Sequence, residues 1–164
     1  QELKKYRVAE SEAGVVSFFK SPYRDKAMHD LGIGTMRNMK SVITGVFIPV
    51  WLCKAYTLKE KINIWVSKLQ FVKKSRFTDE LFKMDIPEMV PKLEIPIYFF
   101  SGKYDLTVNV DLSKAYLEKL QAPVKGFYCF DNSAHSPLFE EPENVERIII
   151  TDVLKGENTL ADKK

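Results

Sequence analysis

The stretch IPIYFFSGKYD, from Ile95 to Asp105, decides the fold of this 164-residue chain. Its first part, IPIYFF, is a continuous apolar run of strand length, and Ser101 and Gly102 close it with a turn signal. A strand without polar alternation is typical of a parallel sheet that is covered on both faces. We therefore predict a parallel strand over Ile95 to Phe100 and an α/β fold.

The residues that follow complete a βαβ unit. DLSKAYLEKL is predicted to be a helix capped by Asp111, and GFYCF, Gly126 to Phe130, is the second strand. Next come a loop with His135 and the helix PENVERIIITDVLKG, with Pro142 in its first turn and Gly156 as its stop. The last residues, ENTLADKK, are expected to form a loose polar tail.

The first half of the chain has the periodicity of helices. In TLKEKINIWVSKLQFV, Thr57 and Glu60 form a capping box. Further helices are predicted after Thr35, in MRNMKSVITGVF, and in TDELFKM. GIGT indicates a helix end and a new N-cap rather than a dinucleotide loop, since Arg37 stands where a third glycine is needed. We expect a helical cap over residues 1–90 and a core segment over 91–164, and the long helix should bury one face partly: Ile62, Trp65, Val66 and Leu69.

Composition excludes several classes of function. The net charge is only +3, and the basic cluster KKSR is too short for a nucleic-acid-binding stripe. Cys53 and Cys129 lack metal-site spacing and only two histidines accompany them, so we expect free thiols, no metal and no cofactor. The longest apolar stretch contains Pro49 and is too short to span a membrane. We expect a cytoplasmic protein that binds neither nucleic acid nor membranes.

Two residues with acid–base side chains lie shortly after the two predicted strands, at positions where a catalytic site could form. Asp105 follows the first strand and His135 the second, and the carboxyl ends of parallel strands meet at one edge of a sheet. There the carboxylate could orient the imidazole as a general base. The structural alternative is that Asp105 is a turn residue and His135 a surface residue. We expect four other candidates to be structural or surface residues: Ser133, Ser136, His29 and Cys129.

The same segments carry a resemblance. IPIYFFSGKYD, a helix and then YCFDNSAHSP resemble the C-terminal part of the α/β-hydrolase fold, most of all its proline iminopeptidase-like branch, in which an SAHSP-like segment is followed by FEEP. The resemblance implies that Asp105 is the triad acid and His135 the base, and that the helical first half is similar to a cap. Asn109 departs from the proline found in many relatives.

The resemblance also implies a serine nucleophile in a G-x-S-x-G elbow, which this sequence lacks. Because the chain starts at Gln1 without an initiator methionine, we expect the elbow and the oxyanion hole upstream, in a missing N-terminal half, and the chain alone to be inactive. The predicted function is the C-terminal segment of a serine-type hydrolase of a small ester, amide or short peptide, with release of an N-terminal residue favoured. The alternative is a non-catalytic binding module that uses the cap as an interaction surface. A second copy could pair with an open sheet edge to form a dimer.

Overall fold

The computed structural model describes residues 14, 17–18, 21, 23–30, 33–34, 36–74, 76–81 and 83–163. The helices before the sheet whose bounds fall within these residues are α1 Tyr23–Asp30, α2 Ile48–Leu52, α3 Leu58–Lys74, α4 Phe77–Leu81 and α5 Ile86–Met89, with a π-helical turn at Ile43–Phe47. The sheet region consists of β1 Ile97–Gly102, α6 Val110–Lys119, β2 Lys125–Phe130, α7 Pro137–Glu140, α8 Pro142–Thr151 and a 3-10 turn at Val153–Lys155.

The strands β1 and β2 form a two-stranded parallel sheet, with Ile97 opposite Lys125 and Gly102 opposite Phe130. Mixed helices and parallel strands confirm the coarse α/β class and the βαβ order. The first strand starts at Ile97 rather than Ile95, where the Ile97 N–H donates to the Val124 carbonyl oxygen at 2.9 Å. Pro96 has no N–H to add to the ladder, which accounts for the later start.

Helices pack on both faces of the sheet, but the side chains of β1 before Gly102 are only half-buried, so the full cover predicted for IPIYFF is reached in part. On one face, Phe99 lies 6.2 Å from the Phe127 ring and 6.0 Å from the ring of Tyr116 on α6. On the other face, the buried core combines strand aromatics with apolar residues of α8: Tyr128, Phe130, Val145 and Ile148. The alternation of side chains along β2 therefore supplies two apolar layers from one short strand.

The ends of the helices differ in part from the prediction. The cap of α6 is Asn109, not Asp111, because Asn109 Oδ1 accepts hydrogen bonds from the backbone N–H groups of Asp111 at 2.9 Å and Leu112 at 3.0 Å. Asp111 lies in the first turn, where a negative charge suits the helix dipole. Pro142 is in the first turn of α8 as predicted, and Gly156 follows the 3-10 turn with a left-handed φ of 67°.

The C-terminal residues are not a loose tail, contrary to the prediction. Lys163 forms an antiparallel bridge with Phe127, and the Phe127 N–H donates to the Lys163 carbonyl oxygen at 2.9 Å. The Cys129 N–H donates to Asp162 Oδ2 at 2.6 Å. These bonds satisfy backbone groups on the outer edge of β2, so that edge is covered. Dimerisation through an open edge stays a prediction, and it would have to use β1.

The buried carboxylate of Asp152 joins this C-terminal segment to the core. Asp152 Oδ2 accepts hydrogen bonds from the Tyr128 hydroxyl and the Leu160 N–H, both at 2.8 Å. Burial, and next the hydrogen bond to Asp152, raise the pKa of Tyr128 far above its ordinary value of 10.0. Since an unfolded tyrosine ionises near 10, folding stability from this residue is present below that pH and is lost as the pH rises above it.

Asp152→Ala is expected to lower the free energy of unfolding by about 2–6 kcal/mol, because it leaves two buried donors without an acceptor at about 1–3 kcal/mol each. Urea unfolding of the chain measures this. Tyr128→Phe in the Asp152→Ala background should recover part of the loss, since it removes one of the two unsatisfied donors. Equal stability of Asp152→Ala and the unchanged chain would contradict this role of the carboxylate.

The long helix α3 is a single helix with the predicted capping box. The Thr57 N–H donates to Glu60 Oε2 at 2.8 Å, and the Glu60 N–H donates to Thr57 Oγ1 at 3.3 Å. Its apolar face is less buried than predicted. Trp65 is half-buried and lies 5.0 Å from the Phe47 ring, whereas Ile62 and Val66 are 46% and 41% exposed. The Leu69 side chain lies outside the described residues.

The helix predicted directly after Thr35 starts later. Residues 36–38 form a bend and a turn, residues 39–41 have no regular structure, and helical geometry begins at Val42, directly before the π-helical turn. Gly34 lies in a bend, while Thr35 lies outside the described residues. None of the described helices is both long and apolar enough to cross a membrane. The division into a cap over 1–90 and a core segment over 91–164 stays a prediction.

Candidate active site

The Asp105 carboxylate is held by the turn that follows β1. The Asp105 N–H donates to the Gly102 carbonyl oxygen at 3.1 Å, and Asp105 Oδ1 accepts from the backbone N–H groups of Thr107 at 2.8 Å and Val108 at 3.1 Å. The side chain is only 6% exposed. Oδ1 is thus hydrogen-bonded to the backbone. These bonds fix the orientation of the carboxylate and therefore the position of its other oxygen, Oδ2.

His135 meets that second oxygen. Its Nδ1 lies 2.8 Å from Asp105 Oδ2, and its side chain is 39% exposed. Because an ionised carboxylate only accepts hydrogen bonds, we assign the proton to Nδ1. In the neutral ring this leaves Nε2 with a lone pair. The predicted juxtaposition of Asp105 and His135 at one sheet edge is therefore confirmed, and their catalytic role stays a prediction.

Two consecutive glutamates hold the histidine loop. Glu141 Oε1 accepts from the Asn132 N–H at 2.9 Å and from the Ser133 hydroxyl at 2.7 Å. Glu140 Oε2 accepts from the Ala134 N–H at 2.9 Å. Ser133 is therefore a buried structural residue, as expected. Neither glutamate was predicted as part of the site, although an acidic pair a few residues after a tight loop could have indicated acceptors for the N–H groups of that loop.

Gly102 lets the two loops approach each other. The Tyr104 N–H donates to the Ser133 carbonyl oxygen at 3.0 Å, next to Gly102. A β-carbon added to Gly102 would lie 1.9 Å from the Ala134 carbonyl oxygen and 2.3 Å from that of Ser133. Real non-bonded atoms do not come this close, so only glycine fits between β1 and the loop that carries His135.

A small cavity adjoins the pair. Its volume is about 280 Å³, and its lining includes Phe99, Phe100, Val108, Asp105 and His135. Ligand pockets usually measure about 300–1,000 Å³, so this cavity suits one small apolar group. Ser101 and Ser113 also line it, but among the described residues neither hydroxyl is hydrogen-bonded to His135, and Ser113 Oγ donates to the Asn109 carbonyl oxygen at 3.2 Å.

The remaining candidates lie elsewhere. His29 is in α1, and its side chain lies outside the described residues. Cys129 is a half-buried residue of β2. Ser136 precedes α7 and makes no side-chain cap hydrogen bond there. Among the candidates whose side chains the structure describes, Asp105 and His135 are the pair joined by a side-chain hydrogen bond.

Comparison with known proteins gives one partial similarity. The chain is 44% identical over 81 residues to the probable aminopeptidase YbaC of Bacillus subtilis (strain 168). The matched segment is 49% of this chain and 25% of that protein, so the chain spans about a quarter of the length of the relative. No protein-family model matches the chain. No solved structure matches it either.

These findings correct the family predicted from the sequence. Assignment to the α/β hydrolases, and to their proline iminopeptidase-like branch, is not upheld, since no family model matches and the similar protein is named as a probable aminopeptidase of a different family. The motifs that suggested the family are short: a GxxD turn and an SAHSP-like loop. Such segments fix a local geometry of strand ends and loops, which does not by itself define a family.

Proposed function

We propose that this chain is part of a peptidase-type hydrolase in which Asp105 and His135 act as an acid–base pair. The observation that carries the proposal is the 2.8 Å contact between His135 Nδ1 and Asp105 Oδ2 at the edge of a parallel sheet. Similarity over 81 residues to a protein named as a probable aminopeptidase supports the same class of reaction.

In the proposed mechanism, His135 Nε2 accepts the proton of a serine hydroxyl while the serine oxygen attacks the carbonyl carbon of the substrate. The imidazolium that forms is stabilised by Asp105, which is almost fully buried and so is poorly screened by water. His135 then returns the proton to the leaving amine or alcohol, and water releases the acyl group in a second round. The proposed substrates are small esters, amides or short peptides.

The serine itself is proposed to come from another segment of the polypeptide. The sequence has no G-x-S-x-G, and the buried hydroxyl of Ser133 is engaged by Glu141. Ser113 is bonded to its own helix. The oxyanion-hole donors are expected in the same other segment, because they must face the carbonyl carbon that the serine attacks. The 164 residues alone should therefore be inactive.

A fluorophosphonate probe, which labels activated serines, tests the proposal. The intact polypeptide that contains this chain should be labelled at one serine outside the 164 residues, and the chain alone should not be labelled. His135→Ala should abolish labelling of the intact polypeptide, because the serine loses its base. His29→Ala, the same change at the second histidine, is the matched control and should leave labelling unchanged. Labelling within the 164 residues, or labelling indifferent to His135→Ala, would contradict the proposal.

A second candidate function is a non-catalytic binding module. It is favoured by large apolar side chains that are exposed in the helical part, among them Ile43, Trp51, Leu52 and Leu58. Contiguous exposed apolar surface often marks an interaction site. An intact polypeptide that neither reacts with the probe nor hydrolyses aminoacyl amides would favour this function over hydrolysis.

A further inference from the structure

A residue from the first half of the chain contacts the turn that carries Asp105 and is linked, through one glutamate, to the loop that carries His135. The Arg37 guanidinium carbon lies 3.8 Å from the centroid of the Tyr104 ring, and Tyr104 directly precedes Asp105. The backbone N–H of Arg37 donates to Glu140 Oε1. Arg37 thus contacts the turn that carries Asp105 through its side chain, and the Glu140 carboxylate at the end of α7 through its backbone.

Glu140 also forms a hydrogen bond with the loop that carries His135. Its second oxygen, Oε2, accepts from the Ala134 N–H at 2.9 Å, and Ala134 directly precedes His135. A single residue, Arg37, is therefore linked to the immediate neighbour of Asp105 and, through one carboxylate, to the immediate neighbour of His135. Both links act at the rim of the site, whereas Gly102 and Ser133 hold the same loops from the strand side.

We propose that Arg37 is a positioning residue for the Asp105–His135 pair. Among the described residues, no hydrogen bond or ion pair joins Arg37 to either side chain. It limits how far the Asp105 turn and the His135 loop can separate, and so how far the 2.8 Å hydrogen bond can open. An exposed cation–π contact of this kind shifts an equilibrium about two- to fivefold. The consequence for catalysis rests on the proposed function, but the consequence for the hydrogen bond does not.

The first test replaces Arg37 by Met, which keeps much of the stem and removes the cation. The readout is the exchange rate with water of the His135 Nδ1 proton, measured by NMR on the full chain labelled with ¹⁵N-histidine. Only two histidines are present, so His135→Ala assigns the signal. We expect Arg37→Met to raise the exchange rate about two- to fivefold. Arg37→Lys, which keeps a cation near the Tyr104 ring, should recover part of the effect.

Lys40→Met is the matched control for the first test. Lys40 lines the same cavity of about 600 Å³ as Arg37, and the substitution removes the same charge. Among the described residues, no hydrogen bond or ion pair joins Lys40 to either loop. The exchange rate in Lys40→Met should therefore equal that in the unchanged chain. Equal rates in Arg37→Met and Lys40→Met would overturn the proposal.

The second test compares the same substitution at neighbouring glutamates. Glu140 serves one N–H with each oxygen, so Glu140→Gln, which has one oxygen and one NH₂ group, must leave either Arg37 or Ala134 without its acceptor. Glu141 serves both of its partners with Oε1 alone, so Glu141→Gln can keep both bonds. Faster Nδ1 exchange in Glu140→Gln than in Glu141→Gln supports the proposal, and equal exchange in the two contradicts it.

The kinetic readout separates this inference from the proposed function. If the intact polypeptide hydrolyses aminoacyl amides, Arg37→Met should lower kcat by the same factor by which it raises the exchange rate, with KM little changed, because the base is misplaced while the substrate cavity is intact. If the polypeptide is inactive but the exchange rates differ as expected, the proposed function fails and the positioning role of Arg37 stands.

Discussion

Asp105→Asn in the intact polypeptide is expected to lower kcat for aminoacyl-amide hydrolysis by about 10⁴-fold, the size of the effect when a serine-hydrolase triad loses its acid. The structure supplies the reason. Asp105 Oδ1 accepts from the N–H groups of Thr107 and Val108, and the oxygen of an asparagine would keep those two bonds. The amide NH₂ would then face His135 Nδ1, which must become an acceptor, so the ring proton moves to Nε2 and the base is lost.

His135→Ala removes the base outright and should cost more, about 10⁶-fold in kcat by comparison with measured triads. Asp111→Asn is the matched control for the acid, since Asp111 is an exposed residue of the first turn of α6 and takes no part in the site. It should leave kcat unchanged. The measurement is steady-state kinetics with each variant at equal folded concentration. Full activity in both Asp105→Asn and His135→Ala would reduce the pair to structural residues.

The strand-end residues could be predicted because their signals are local and their meeting point follows from a general rule. The apolar run before Gly102 indicates a buried strand, and parallel strands place Asp105 and His135 at one edge. The glutamates could not be assigned in the same way. Glu140 and Glu141 stand near helix starts, where acidic residues are favoured for the dipole alone, and only the folded loop shows which N–H groups they accept from.

The predictions for the C-terminal residues, the cap of α6 and the burial of α3 differ from the structure because long-range or competing contacts decide these features. The polar C-terminal residues were predicted to be a loose tail, but Asp162 accepts a hydrogen bond from the backbone of Cys129, which is 33 residues away in sequence. Asn109 and Asp111 are both good caps, and the choice between them depends on where the helical backbone begins. In α3 the apolar spacing identifies one face correctly as apolar, but periodicity does not say what covers that face, and Ile62 stays exposed.

Gly102→Ala is expected to impair both folding and activity, because its β-carbon would lie 1.9 Å from the Ala134 carbonyl oxygen. The clash is with backbone, so β1 and the histidine loop must move apart rather than a side chain turning away. Overpacking of this kind costs about 1–3 kcal/mol of unfolding free energy. The same movement separates Asp105 from His135, and a misplacement of about 1 Å costs about 10²-fold in kcat. Urea unfolding and steady-state kinetics on the same variant measure the two effects.

The matched control is Gly156→Ala, the same substitution at a glycine that is special for a different reason. Gly156 has a φ of 67° and no atom within 4 Å of an added β-carbon. Alanine at this position should therefore lower the free energy of unfolding only through its left-handed backbone conformation, by about 1–2 kcal/mol. Both variants should therefore lose stability, but only Gly102→Ala should lose kcat. If Gly102→Ala kept full activity, the close approach of β1 to the histidine loop would not be what sets the geometry of Asp105 and His135.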